Sequence, residues 1–126
     1  MLLKPNMIIA AKGCPKQASV EEVARASVAC VSESRELCPA SFSYPEAKNH
    51  LAATIHLNAI SQRDGPKPWR LSFSFGRALQ DEALRAWHGQ PDNVEAGRRA
   101  FAHRAECARA ATLGRYSRTM ESELAA

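Results

Sequence analysis

Trp69-Arg70-Leu71-Ser72-Phe73-Ser74-Phe75-Gly76-Arg77 alternates apolar and polar residues and then stops at a glycine. Leu71, Phe73 and Phe75 fall on one side of an extended chain and Ser72 and Ser74 on the other, the period of two that marks a strand. Asp64-Gly65-Pro66-Lys67-Pro68 before it is a turn cluster, and a helix is predicted to follow from Ala78 to Trp87. A glycine at a strand-to-helix turn lets backbone N–H groups face an anion, and the helix N-terminus adds a favourable dipole. Arg77 adds a planar fork of donors suited to phosphate oxygens. Taken alone, Gly76-Arg77 reads more simply as a strand end with a surface arginine.

Upstream of this strand, Ser19-Val20-Glu21-Glu22 has capping-box spacing. Val20, Val23, Ala24, Val28 and Val31 recur at helical intervals, so a helix is predicted from Val20 to Leu37, with Pro39 as its stop. Ser41-Phe42-Ser43-Tyr44-Pro45 is polar and irregular. Pro45 opens a second helix whose buried stripe is predicted to be Leu51, Ala52, Ile55 and Ala59. Downstream, Pro91-Asp92 starts a last helix that reaches Leu113 and is closed by Gly114. The tail from Tyr116 to Ala126 is expected to be loosely held. Strands alternating with helices indicate βα units, a parallel sheet and an α/β fold.

At 126 residues, 45% hydrophobic and 24% charged, the chain is one domain at most, with an ordinary globular composition. No apolar run approaches the roughly 18–20 residues of a membrane span. Its start lacks the charged region, long apolar stretch and cleavage site of a secretory leader, which makes the cytoplasm the expected location. The net charge of +4 raises the question of nucleic acid. Arg98, Arg99, Arg104 and Arg109 are nevertheless interleaved with Glu95 and Glu106, without a basic run or a stacking set of aromatics. They are read as a solvated helix face. Cys14, Cys30, Cys38 and Cys107 make no CxxC pair and are expected to be reduced, partly buried thiols. His50, His56, His88 and His103 make no i, i+4 histidine pair, and no metal site is read.

The chain opens on Leu2-Leu3-Lys4-Pro5-Asn6-Met7, read as a short apolar strand carrying one lysine. A lysine held on the inner face of such a strand loses solvation, which lowers its pKa and makes it a candidate nucleophile toward a carbonyl. On composition alone, an exposed surface lysine is the simpler account.

Several segments together are more specific than any one of them. Leu2-Leu3-Lys4-Pro5-Asn6-Met7, His56-Leu57-Asn58-Ala59-Ile60, Lys67-Pro68-Trp69, Leu71-Ser72-Phe73-Ser74-Phe75-Gly76-Arg77-Ala78-Leu79 and Ala83-Leu84-Arg85-Ala86-Trp87 closely resemble, in order and spacing, the C-terminal third of class I fructose-1,6-bisphosphate aldolase. The resemblance covers nearly the whole chain and is weakest at residues 41–53 and in the tail. The region from Gln17 to Val23 and the short C-terminus look more like a bacterial member than an animal one.

The resemblance implies that residues 1–126 form part of a TIM (β/α)8 barrel, from strand 6 to the C-terminal helices. Strand 6 then lies at Lys4, an impaired strand 7 around residues 41–44 and strand 8 at Leu71–Phe75. It places Lys4 at the family's Schiff-base position, where the amine condenses with the C2 ketone of fructose 1,6-bisphosphate. The C3–C4 bond breaks, giving glyceraldehyde 3-phosphate and dihydroxyacetone phosphate. Ser74, Phe75, Gly76 and Arg77 fall on the turn that holds a substrate phosphate. Tyrosine is common at the position of Phe75, and a backbone contact there survives the exchange. No metal and no cofactor are expected. The implied partners are fructose 1,6-bisphosphate or triose phosphates, with no nucleic acid and no membrane.

Two departures qualify that picture. The family's seventh strand ends in Leu-Ser-Gly-Gly-Gln-Ser, whereas this chain has Phe42-Ser43-Tyr44-Pro45-Glu46-Ala47-Lys48-Asn49-His50, and similarity resumes abruptly at Ala53-Thr54-Ile55. This pattern fits a local pair of frameshifts, and the coding DNA read in another frame is expected to show the lost glycines. The family's first five strands, with its acidic residues, other active-site lysines and another phosphate-binding arginine, also have no counterpart here. A (β/α)8 barrel takes about 250 residues, and general acid–base help typically contributes about 10²–10⁴-fold. These 126 residues alone are therefore expected to show little or no aldolase activity. The rival readings are a non-catalytic remnant or interaction segment that associates with intact aldolase subunits, and a small basic helical protein that binds nucleic acid.

Overall fold

A computed structural model describes residues 4–11, 13–33, 40–42, 50–65, 67 and 70–125. In chain order it contains α1 (Val20–Ser32), β1 (Ala40–Phe42), α2 (His50–Gln62), β2 (Leu71–Phe73), α3 (Arg77–Trp87), a 3-10 turn (Pro91–Asn93), α4 (Val94–Thr112) and a 3-10 segment (Arg118–Ala125).

The two strands pair in parallel, with Ala40 opposite Leu71, Ser41 opposite Ser72 and Phe42 opposite Phe73. Parallel neighbours need a crossover, and α2 provides it, so β1-α2-β2 is a βα unit whose first strand falls where composition alone reads as irregular and the resemblance implies a strand around residues 41–44. β2 is shorter than the predicted Trp69–Phe75. Trp69 lies outside the described residues, and Ser74 and Phe75 have left the ladder. Phe75 nevertheless keeps its place beside Phe73, with ring centroids 5.2 Å apart, so the apolar face continues past the last ladder bond.

The opening segment departs from its prediction. Residues 1–3 lie outside the described residues; among the described ones Lys4 and Pro5 are irregular and pairing amounts to a single β-bridge at Asn6. A strand consists of its ladder, and Pro5 has no N–H to give to one. Met7 is 2% exposed, whereas Lys4 and Asn6 are exposed, so the segment turns Met7 into the protein and leaves Lys4 on its outer side.

α1 starts at the predicted capping box. The Glu22 amide donates to the Ser19 hydroxyl at 3.2 Å, and the Ser19 amide donates to the Glu22 carboxylate at 2.8 Å. That backbone donor, followed by the Ser19 hydroxyl, holds the Glu22 carboxyl below its ordinary range. The helix ends at Ser32, short of Leu37, and residues 34–37 are not described. The Ser32 hydroxyl turns back to the Val28 carbonyl at 2.8 Å, and no basic side chain sits in the last turn to meet the other carbonyls.

α2 begins, as described, at His50; the predicted start at Pro45 lies outside the described residues. Its stripe needs correction. Ala53, Thr54, His56, Leu57 and Ile60 are the buried residues, while Leu51, Ala52, Ile55 and Ala59 are only partly buried. The helix is packed by α1 on one side and α4 on the other, which leaves no single apolar face to be read from spacing. Met7, Val23, Ala24, Val31, Leu57, Ile60, Cys107, Ala110, Ala111 and Tyr116 form one core, flanked by Leu71, Phe73 and Phe75.

α3 matches its prediction to within one residue, and α4 closes at Gly114, whose φ of 69° is a backbone state that glycine adopts without strain. From Tyr116 to Glu121 the tail is not loosely held. Tyr116 is 7% exposed, its amide donates to Asn58 Oδ1 at 3.1 Å, and Met120 packs against the core.

Candidate functional site

Gly76 is the N-cap of α3, and its carbonyl accepts from the amides of Leu79 (3.0 Å) and Gln80 (3.2 Å). These bonds close the first turn, and the amides before them point out of the helix. No side chain caps this end and the first turn has no acidic residue. Gly76 and Arg77 are exposed, while Ser74 and Phe75 are partly buried. A Cβ added at Gly76 would meet nothing within 4 Å, so the space over the turn is open. Among the described residues no carboxylate lies within ion-pair distance of Arg77. An outward helix end, an open approach and an uncompensated guanidinium make an arrangement that can hold an anion.

Lys4 is exposed, so the described residues supply none of the enclosure that would set its amine apart from a surface lysine. Its segment is fixed from the other end. The Ile8 amide donates to the Ser27 hydroxyl at 2.9 Å, and Met7 sits in the core cluster that Phe73 and Phe75 also border. The lysine-bearing segment and the Ser74–Arg77 turn therefore share one apolar foundation.

One reading of the arginines is corrected here. Arg98 and Arg109 are exposed and pair with Glu95 and Glu106 at 2.7 and 2.8 Å, and Arg99 is exposed. Arg104 instead has a side chain 1% exposed. Its guanidinium donates to the Glu121 carboxylate and to Thr54 Oγ1 at 3.2 Å, with Glu82 at 3.8 Å. Arg104 lies on the face of α4 that carries Ala100, Cys107, Ala108 and Ala111, and that line of small residues is the sequence signal for its burial. The Tyr116 hydroxyl donates to the other Glu121 oxygen at 2.6 Å. Burial alone would raise the Glu121 carboxyl, but the hydrogen bonds from Arg104 and Tyr116 outweigh it and hold it low. Burial, then the Glu121 carboxylate, pushes the Tyr116 hydroxyl up.

The cysteine expectation is also revised. Cys14 and Cys30 are exposed rather than partly buried, Cys107 is fully buried, and Cys38 lies outside the described residues. His103 has a mixed partner at i, i+4 spacing rather than a second histidine: its Nε2 lies 3.7 Å from Cys107 Sγ.

Comparison with known proteins gives these features a context. The family model described as "Glycolytic: Fructose-bisphosphate aldolase class-I" matches residues 1–126. A fructose-bisphosphate aldolase of Echinococcus multilocularis is 45% identical over 116 residues, which are 91% of this chain and 32% of that protein. One from Lymnaea stagnalis is 45% identical over 92 residues, covering 72% of this chain and 91% of that sequence. Among solved structures, fructose-bisphosphate aldolase from Plasmodium falciparum, in a ternary complex with TRAP and a small-molecule inhibitor, superposes with a TM-score of 0.85 at 34% identity. That match covers 92% of this chain and 33% of the other. The chain thus spans about a third of the length of the Echinococcus and Plasmodium proteins.

Proposed function

Since this chain belongs to the class I fructose-bisphosphate aldolase family, we propose that it carries the Schiff-base and phosphate-holding elements of an enzyme that cleaves fructose 1,6-bisphosphate. Its α/β fold is part of the family's (β/α)8 barrel, with β1 and β2 as neighbouring barrel strands. In the proposed reaction the Lys4 amine attacks the C2 ketone and water leaves, giving an iminium. That iminium draws the electron pair of the breaking C3–C4 bond, while the C4 hydroxyl gives its proton to solvent and becomes the aldehyde. Glyceraldehyde 3-phosphate departs, and the remaining enamine, once protonated and hydrolysed, yields dihydroxyacetone phosphate and the free lysine. Ser74, Phe75, Gly76 and Arg77 hold a substrate phosphate through outward amides and the guanidinium. We assign the chain to the cytoplasm on the family's glycolytic role, with fructose 1,6-bisphosphate or triose phosphates as its ligands.

The observation that carries this reading is the open, uncapped start of α3 at Gly76-Arg77, directly after the Phe42–Phe73 strand pair. Borohydride reduction in the presence of dihydroxyacetone phosphate, followed by peptide mapping, tests it. A reduced adduct on Lys4, absent from Lys4→Met, is the expected result. Adducts spread equally over Lys4 and the exposed Lys16, or none at all, would overturn the assignment.

The exposure of Lys4 favours a second reading for these 126 residues by themselves: little or no turnover, and association with an intact aldolase subunit that encloses the lysine. Co-purification with an intact homologue supports it. A monodisperse monomer that cleaves fructose 1,6-bisphosphate removes it.

A further inference from the structure

His103 and Cys107 project from successive turns of one face of α4, and Glu121 reaches them from the 3-10 segment that follows. One ligand atom from each, an imidazole nitrogen, a thiol sulfur and a carboxylate oxygen, lies within 4.8 Å of the other two. His103 Nε2 and Cys107 Sγ are 3.7 Å apart. With Zn–N near 2.0–2.1 Å and Zn–S near 2.3 Å, a tetrahedral centre would separate nitrogen and sulfur by about 3.6 Å. The pair is therefore already at metal-binding separation, with the third donor a short movement away.

We propose that His103, Cys107 and Glu121 bind one thiophilic divalent cation of the zinc class, which clamps the C-terminal 3-10 segment to α4. The donor set is the nitrogen, sulfur and oxygen combination that zinc accepts, and a fourth position is left to solvent. Cys107 is buried at the floor, while His103 and Glu121 are partly exposed, so an ion has a way in. The Cys107 thiol proton leaves to solvent on binding. The His103 ring, whose Nε2 now meets the Met120 carbonyl at 2.7 Å, carries its proton on Nδ1 instead. That shift gives up the Nε2–H bond to the Met120 carbonyl and places the proton on a buried Nδ1 that has no hydrogen-bond partner, two costs that the metal–nitrogen bond has to outweigh. Glu121 turns one oxygen from Arg104 to the metal. Arg104 keeps Thr54 and moves toward Glu82, already 3.8 Å away, so its charge stays compensated. Residues separated by a turn of chain are thereby fixed to one another, and the segment carrying Met120 and Glu121 is held against the core.

The test uses the full chain with Cys14→Ser, Cys30→Ser and Cys38→Ser, which removes the other thiols. Titration with Co²⁺ is expected to give a thiolate-to-cobalt charge-transfer band that saturates at one equivalent and is displaced by Zn²⁺. Cys107→Ser should abolish the band. His103→Gln and Glu121→Gln should each weaken zinc binding by at least the roughly 10–100-fold that loss of a second-shell partner costs. Zinc should also slow amide exchange over residues 118–122 in the parent and not in His103→Gln. If Cys107→Ser fails to fold, the partly exposed His103 and Glu121 variants carry the test. No band, a band retained without Cys107, or exchange unaffected by zinc would overturn the proposal.

Discussion

The amide of Ile8 donates a 2.9 Å hydrogen bond to the hydroxyl of Ser27, joining the segment that bears Lys4 to the middle of α1. Ser27 is 1% exposed, so water cannot readily replace it as the acceptor. Ser27→Ala is expected to cost about 1–3 kcal/mol, the penalty for leaving a donor without a partner where water does not take its place. Amide exchange at Ile8 should accelerate while α1 keeps its own protection. Unchanged exchange at Ile8 would mean that burial of Met7 alone fixes the segment.

Arg77→Ala is expected to weaken binding of dihydroxyacetone phosphate by roughly 10–100-fold, the equivalent of a charge-assisted hydrogen bond of about 1.5–3 kcal/mol. Arg77→Lys should recover part of it, since an ammonium keeps the charge but not the planar fork. Gly76→Ala separates fold from ligand. A Cβ there meets no atom within 4 Å, so the stability cost should stay within about 1 kcal/mol, the scale of an N-cap change. Phosphate affinity should fall further, because the added methyl stands where the anion approaches the backbone. Isothermal titration alongside thermal melts distinguishes the two effects.

The parts legible in the sequence were those governed by local rules. Ser19 and Glu22 announce the start of α1 by their own hydrogen bonding, Gly114 announces the end of α4, and the alternation at Leu71–Phe73 gives β2. The stripe of α2 was misread because two neighbours bury it from different sides, and spacing registers only one face. Arg104 was misread because a charge in a run of charges looks solvated until its partners are known. Those partners, Thr54 and Glu121, lie 50 and 17 residues away in sequence. The Lys4 and Ser74–Arg77 assignments came from resemblance. The local geometry at Gly76 is consistent with an anion site, whereas burial of Lys4 depends on contacts that its own segment does not make.

Glu121 predicts a pH dependence. Its carboxyl is held below the reference value of 4.5: burial opposes ionisation, but Arg104 and Tyr116 more than compensate. A group lowered by folding stabilises the protein above its unfolded pKa. That contribution is lost as the pH falls through the folded value, where the carboxyl is protonated in both states. Glu121→Gln should therefore cost about 1.5–3 kcal/mol near neutral pH, the worth of a hydrogen bond to a charged group. The gap to the parent should close in acid. Urea unfolding across the acidic range checks the sign, and a gap that widens on acidification would contradict it.

Gly97 sets how closely α3 and α4 cross. A Cβ at this position would lie 3.0 Å from Trp87 Cβ and 3.2 Å from the Ala83 carbonyl oxygen. The first of these atoms is the rigid root of a side chain and the second is backbone, so neither can swing aside. Gly97→Ala would ordinarily gain about 1 kcal/mol from helix propensity. Here the clash should reverse the sign, leaving a net loss of about 1–3 kcal/mol, as for other overpacked sites. The strain is relieved by moving α3 away from α4. Because Arg77 and Trp87 begin and end the same helix, that movement also shifts the Gly76-Arg77 turn. The variant should therefore lower both the melting temperature and the affinity for dihydroxyacetone phosphate, although residue 97 touches neither the turn nor Lys4 in the proposed site. An increase in stability would show that the helices part without cost. Unchanged phosphate affinity with lower stability would show that the turn is held by β2 rather than by α3.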